Sequence, residues 1–183
     1  MQFARYIFLI FTIGLLASSC TISLQNKNIP IADHNTPSHI IYALKYLNYN
    51  EKTNKTQLYQ LLGIDPTRIE WCAAFINSVL KENNITGSKS LTARSFLKWG
   101  EKTNNPQIGD ILVFVRGDSK WQGHAGFYLD TVKYNNKTYY MILGGNQNDK
   151  VSIIHYPKNL LIEARKIPSE TEGIFSIIKY KNY

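Results

Sequence analysis

The stretch Ile108-Gly109-Asp110-Ile111-Leu112-Val113-Phe114-Val115 marks the point at which the chain changes from helical to extended patterning. Its last five residues form a continuous apolar run, which is typical of a buried strand. Further strands are predicted on its C-terminal side, where short apolar or alternating segments are separated by turn residues, at 123–131, 138–143, 151–156, 161–166 and 174–179.

The segment before Pro106 carries apolar residues at helical spacing. It predicts helices at 38–47 and 57–62, and Gly63 would end the second of them. A third helix would start at Asp65-Pro66-Thr67, with a capping box formed by Thr67 and Glu70, and would include Cys72. A fourth would run from Ser90 or Thr92 to Trp99. Helices followed by strands predict an α+β fold with an antiparallel sheet of about six strands. We expect one domain over 38–183, with a C-terminal extension from about residue 168.

Residues 1–19 have the layout of a signal peptide, with Arg5, an apolar segment and small residues before Cys20. The apolar run is roughly a dozen residues, whereas a membrane-spanning helix needs about 20. The segment resembles a bacterial lipobox, with Ala17 where Leu is usual, and predicts lipidation of Cys20. Residues 20–37 would then form a polar tether, and the protein would be an exported membrane lipoprotein facing the periplasm or cell surface. Ordinary cleavage and an uncleaved anchor are the alternatives.

The composition is that of a globular, basic protein. Apolar residues make up 44% of the chain, and 21 Lys and Arg against 13 Asp and Glu give a formal net charge of +8. A basic surface favours anionic partners such as acidic lipid headgroups or acidic polymers. Export argues against nucleic acid as the partner, and the sequence gives no indication of an oligomeric state.

Cys72 is the first candidate for chemistry. If Cys20 is lipidated, Cys72 is a lone thiol in an exported protein, which favours a nucleophile. A position at the start of a helix lowers a thiol pKa through the helix dipole, although Glu70 nearby would oppose this effect. The alternative is a small buried residue, which is common for free cysteine.

His124 is the best candidate for a base. It is flanked by Gly123, Ala125 and Gly126, and strand alternation places His124, Gly126 and Tyr128 on one face. A solvated strand histidine is the alternative. The other histidines are weaker candidates, because His34 lies in the tether and His39 and His155 are expected at the surface.

Asn146 follows Gly144-Gly145 at the end of a predicted strand. Its amide could accept a hydrogen bond from an imidazole N–H and hold the tautomer, as the third member of a Cys-His-Asn set. A plain turn is the alternative.

No metal ion or other cofactor is expected, because the chain lacks a His-x-x-x-His pair and Cys20 and Cys72 are far apart in sequence. Three aromatic residues are candidates to line a substrate groove, namely Trp71, Trp121 and Tyr128. The alternative is that they belong to the core.

Four segments together resemble the NlpC/P60 and CHAP group of cysteine peptidases and amidases, over roughly Ser38 to Lys166. They are Trp71-Cys72-Ala73-Ala74-Phe75, Pro106-x-x-Gly109-Asp110-Ile111-Leu112-Val113-Phe114, Gly123-His124-Ala125-Gly126-Phe127-Tyr128 and Leu143-Gly144-Gly145-Asn146-Gln147. The resemblance implies a papain-like core and hydrolysis of peptidoglycan amide bonds through a thioester. It also implies that Cys72 is the nucleophile, His124 the base and Asn146 the orienting residue. Gly144 departs from the pattern, since many CHAP proteins have Glu there.

Two other functions fit the same sequence. One is a non-catalytic lipoprotein that binds the cell wall with the same fold. The other is a thiol acyltransferase or effector that acts on a non-wall amide. The sequence does not distinguish a muramoyl–alanine bond from an inner peptide link as the bond that is cleaved.

Overall fold

The computed structural model of the protein describes residues 35–168. The predicted leader, Cys20, His34, the C-terminal extension from Ser169 and the strand predicted at 174–179 lie outside these residues. The helices are α1 Ser38–Leu44, α2 Lys55–Leu62 and α3 Cys72–Glu82, with 3₁₀ helices at Ala93–Lys98 and Lys158–Leu160. The strands are β1 Glu101–Thr103, β2 Ile111–Val115, β3 Gly123–Tyr134, β4 Lys137–Gly144, β5 Ser152–Pro157 and β6 Leu161–Lys166. Within residues 35–168, no helix is long and apolar enough to cross a membrane.

The six strands form one antiparallel sheet in the order β1-β6-β2-β3-β4-β5. The predicted α+β class is therefore confirmed, and so are the five predicted strands that lie in the described part of the chain. β1 was not predicted from the sequence. It is a three-residue edge strand, Glu-Lys-Thr, which has no apolar residue to show an alternation.

Alternation along β2 divides the core into two layers. Ile111 and Val113 pack under the helices, together with residues of α3 such as Phe75. Leu112 and Phe114 point to the opposite face of the sheet, where they pack with a smaller apolar cluster of Tyr140, Ile142 and Ala164. α3 thus lies on one face of the sheet, with its first residue directed towards β3.

The start of α3 differs from the sequence prediction. Residues 66–69 form a turn, in which the Thr67 N–H and hydroxyl both donate to Asp65 Oδ1, at 3.0 and 2.7 Å. Thr67 therefore bonds backwards to Asp65 and makes no capping box with Glu70, so that the helix begins at Cys72. Gly63 ends α2 as predicted, with a φ of 68° that suits glycine.

His39 is also placed differently from the prediction. It is buried against Phe127, with ring centroids 5.5 Å apart, and its Nε2 lies 3.2 Å from the Gly109 carbonyl oxygen. Burial lowers the pKa of His39, which favours the neutral ring. His39 therefore connects α1 to the loop before β2 and has a structural role. His155 is exposed, as expected.

Candidate active site

The start of α3 is fixed by Trp71, which is fully buried. Its indole N–H donates to Glu51 Oε2 at 3.0 Å, and its ring meets Phe75 edge-on. Gly145 packs directly on the Trp71 ring and on the Cβ of Phe75, since a Cβ added there would lie 2.6 Å from Trp71 Cζ3 and 2.7 Å from Phe75 Cβ. The turn after β4 is therefore held against the first turn of α3. Trp71 is a core residue, which is the alternative that the sequence left open beside a groove-lining role.

The thiol of Cys72 lies against β3. The side chain is only 3% exposed and is in hydrogen-bonding range of the backbone N–H groups of Ala125 and Ala73. Burial raises the pKa of Cys72, and the hydrogen bonds from the two N–H groups oppose this shift. The charge of Glu70 raises the pKa of Cys72 further, whereas the charge of Arg116 lowers it. The hydrogen bond to Ala125 places the sulfur beside the residue that follows His124.

His124 lies on β3 opposite Phe114 and is 5% exposed. The ring of Tyr156 stacks on the imidazole, with centroids 5.0 Å apart and planes at 15°, and Phe114 stacks on the other side of Tyr156 at 4.6 Å. Burial lowers the pKa of His124 to about 4, against a smaller rise from the hydrogen bond to Gln147. The imidazole is therefore neutral at ordinary pH.

Gln147 determines which nitrogen of that neutral ring carries the proton. Gln147 Nε2 donates to the Ser152 carbonyl oxygen, which can only accept, so the orientation of the amide is fixed. Gln147 Oε1 then faces His124 Nε2 at 3.1 Å and must accept from it. The proton lies on Nε2, and Nδ1 retains the lone pair that a general base needs.

Asn146 does not make the contact that the sequence predicted for it. Its Nδ2 donates to Glu70 Oε2 at 2.6 Å, away from the imidazole. Extension of the Phe127–Leu143 register would place Asn146 opposite His124, but β4 ends at Gly144. Asn146 then takes a φ of 55°, which turns its side chain outwards and brings Gln147 to the ring.

The two other aromatic candidates are Trp121 and Tyr128. Trp121 is 74% exposed in the segment between β2 and β3. Tyr128 is half-buried on β3, with its hydroxyl 2.9 Å from Thr131 Oγ1 and its ring edge-on to Tyr140. Among residues 35–168, no group of three His, Cys, Asp or Glu side chains is arranged to hold a metal ion.

Glu70, Arg116 and Asn146 form a hydrogen-bonded cluster, here called the charged cover, and the sequence did not predict that these three residues meet. Arg116 Nη1 and Asn146 Nδ2 both donate to the same oxygen, Glu70 Oε2. The three residues come from the segment before α3, the position directly after β2 and the turn after β4. Glu70 and Arg116 influence the pKa of both Cys72 and His124, so this cover borders the thiol and the imidazole.

Comparison with known proteins gives little beyond this geometry. No protein-family profile matches the chain, and no curated protein matches it. One solved structure, from Staphylococcus aureus subsp. aureus Mu50, is described as similar to a lipoprotein of the NLP/P60 family. It is 19% identical, with a TM-score of 0.46, and the match covers 78% of this chain and 42% of that chain. The match therefore spans less than half the length of that chain.

Proposed function

We propose that the protein is a cysteine hydrolase that cleaves amide bonds of cell-wall peptides, with Cys72 as nucleophile and His124 as base. Gln147 takes the orienting role that the sequence suggested for Asn146. The observation that carries this proposal is the chain of hydrogen bonds from Ser152 through Gln147 to His124, which leaves Nδ1 of His124 unprotonated. The Cys72 thiol lies in hydrogen-bonding range of the next residue along the strand, Ala125. The resemblance of the sequence to the NlpC/P60 and CHAP group supports the same class of reaction.

The chemistry follows from these positions. His124 Nδ1 accepts the thiol proton as Cys72 Sγ attacks the substrate carbonyl carbon. Cys72 is the first residue of α3, so its backbone N–H has no partner within the helix and can donate to the developing oxyanion. The C–N bond then breaks, and His124 returns the proton to the leaving amine. Water, activated by His124, attacks the thioester, which releases the acid and restores the thiol.

Burial makes the resting pair neutral. It raises the pKa of Cys72 and lowers that of His124, so both shifts oppose a standing thiolate–imidazolium pair. The thiolate accordingly forms during attack on a bound substrate, and Gln147 stabilises the imidazolium through the hydrogen bond at Nε2.

The cell wall is proposed as the substrate from the leader and the charge. A lipidated Cys20 would hold the domain at an exported membrane surface, and a net charge of +8 favours an acidic polymer. Incubation of purified peptidoglycan with the protein, followed by mass analysis of the released fragments, tests this directly. We expect new amine and carboxyl ends at one type of amide bond, and none with heat-denatured protein. Intact peptidoglycan after prolonged incubation would contradict the proposal.

A wall-binding protein without turnover is the second candidate. It is favoured by one observation, the near-complete burial of Cys72 and His124. Sedimentation with insoluble peptidoglycan, together with a Cys72 thiol that resists alkylation in the folded protein, would support binding without catalysis.

A further inference from the structure

The charged cover has an unusual arrangement for surface residues. Three segments that are distant in sequence converge on one carboxylate oxygen, Glu70 Oε2. Glu70 lies two residues before the nucleophile, so the carboxylate is held at the edge of the site. Cys72 is 3% exposed, whereas the side chains of Glu70 and Arg116 are 61% and 50% exposed. Because Cys72 is almost wholly buried, a substrate that reaches the sulfur must displace residues around it, and this exposed cover is the part that we expect to move.

Arg116 is suited to bind an incoming carboxylate. A guanidinium has five N–H donors in a planar fork that matches a carboxylate. In the described part of the chain, the one side-chain hydrogen bond of Arg116 is from Nη1 to Glu70, which leaves donors available. Arg116 also acts electrostatically on Cys72, His124 and Tyr156, which shows that its charge lies close to the reacting groups.

We propose that Arg116 is the carboxylate-binding residue of this site, and that Glu70 occupies it until a substrate carboxylate takes its place. The substrate is then a peptide with a free carboxylate beside the scissile amide. This inference rests on the proposed hydrolase function, which it deepens by naming the class of substrate. The exchange costs little, because an exposed ion pair is weak and one Arg–carboxylate pair replaces another. Release of Glu70 also frees Asn146 and uncovers the thiol.

Alkylation of Cys72 tests the inference without requiring turnover. Iodoacetate and iodoacetamide are close in size, and both form a thioether with loss of iodide, but only iodoacetate carries a carboxylate. We expect the rate ratio of iodoacetate to iodoacetamide at Cys72 to be about tenfold higher in the folded protein than in the urea-unfolded chain, and to fall with added salt. Mass analysis of the Cys72 peptide separates this thiol from Cys20.

Variants assign the effect to Arg116. Arg116→Ala should return the ratio to the value of the unfolded chain, whereas Glu70→Gln should raise both rates and keep the preference for iodoacetate. Arg68→Ala is the matched control, because Arg68 is an exposed arginine in the segment before α3 and its loss changes the net charge equally. An equal ratio in wild type and Arg116→Ala, or an equal fall in Arg68→Ala, would overturn the inference.

A pair of wall peptides that differ only in Glu or Gln beside the scissile amide provides the second test. Wild type should cleave the Glu peptide with the lower KM, and Arg116→Ala should lose that difference with a smaller change in kcat. Equal KM values for the two peptides in wild type would overturn the inference and leave the hydrolase proposal intact. Absence of all cleavage, with the alkylation preference present, would instead overturn the hydrolase proposal and support the carboxylate site.

Discussion

At the scale of single residues, Gln147 is held at both ends of its amide, by Ser152 and by His124. Because it supports the imidazole in the transition state, Gln147→Ala should lower kcat roughly ten- to a thousandfold with little change in KM. Asn146→Gly, which suits the φ of 55° at that position, should lower kcat less. Steady-state kinetics on a cleaved wall peptide would measure both. A larger loss of kcat in Asn146→Gly would return the orienting role to Asn146.

His124 also makes the stability of the fold depend on pH. Burial lowers its pKa from 6.5 to about 4, so between these values the unfolded chain binds a proton that the folded protein does not. Stability should therefore fall as the pH is lowered through this window, by roughly 2–4 kcal/mol from this residue. The pKa of His39 is shifted in the same direction.

Urea unfolding at pH 7 and pH 4.5 would measure this loss. His124→Gln should make the difference in unfolding free energy between the two pH values smaller. His155→Gln replaces an exposed histidine and should leave the difference unchanged. Equal pH dependence in wild type and His124→Gln would show that His124 is not buried in the neutral form.

The sequence made Cys72 and His124 candidates from local features, namely a lone thiol near a helix start and a histidine flanked by small residues. It did not separate Asn146 from Gln147. Both are amides in one turn, and the choice between them depends on the end of β4 and on a single positive φ angle. Arg116 and Tyr156 are brought to the site only by the pairing of strands, so no local motif identifies them.

At the scale of elements, the packing of the β4–β5 turn on α3 positions Gln147. Gly145→Ala would force a Cβ against Trp71 and Phe75, and should lower stability by roughly 1–3 kcal/mol and displace the turn. Both Tm and kcat should fall. Gly63→Ala is the control, because its Cβ meets nothing within 4 Å and only its φ of 68° costs free energy, roughly 1–2 kcal/mol. Gly63→Ala should leave kcat unchanged. An unchanged kcat in Gly145→Ala would show that the packing of this turn does not position Gln147.

Elements with a buried apolar face were the predictable ones. β2 is a continuous apolar run, and α3 repeats apolar residues at helical spacing, so both are evident in the sequence. Polar signals were less reliable. The Thr67–Glu70 pair satisfied the rule for a capping box, but Asp65 competes for the Thr67 N–H and hydroxyl and the chain forms a turn.

At the scale of the whole molecule, the leader is proposed to anchor the domain through lipid on Cys20. Cys20→Ala should abolish labelling by a fatty-acid analogue and move the protein from the membrane to the soluble fraction. Because a single acyl chain anchors only marginally, more than one chain should be attached. The activity of the domain should persist in Cys20→Ala, since all residues of the proposed site lie within 38–166. An unlipidated Cys20 in the mature wild-type protein would remove the lipoprotein proposal alone.

The central claim is that Cys72 carries the acyl group of the substrate, and intact-protein mass after rapid acid quenching tests it most directly. Wild-type protein mixed with a wall peptide that it cleaves should gain the mass of the acyl part of that peptide. Peptide mapping should place the addition on Cys72, and hydroxylamine should remove it, as expected for a thioester. Cys72→Ala should show neither the adduct nor cleavage. Cleavage by Cys72→Ala at a rate near that of wild type would contradict the account.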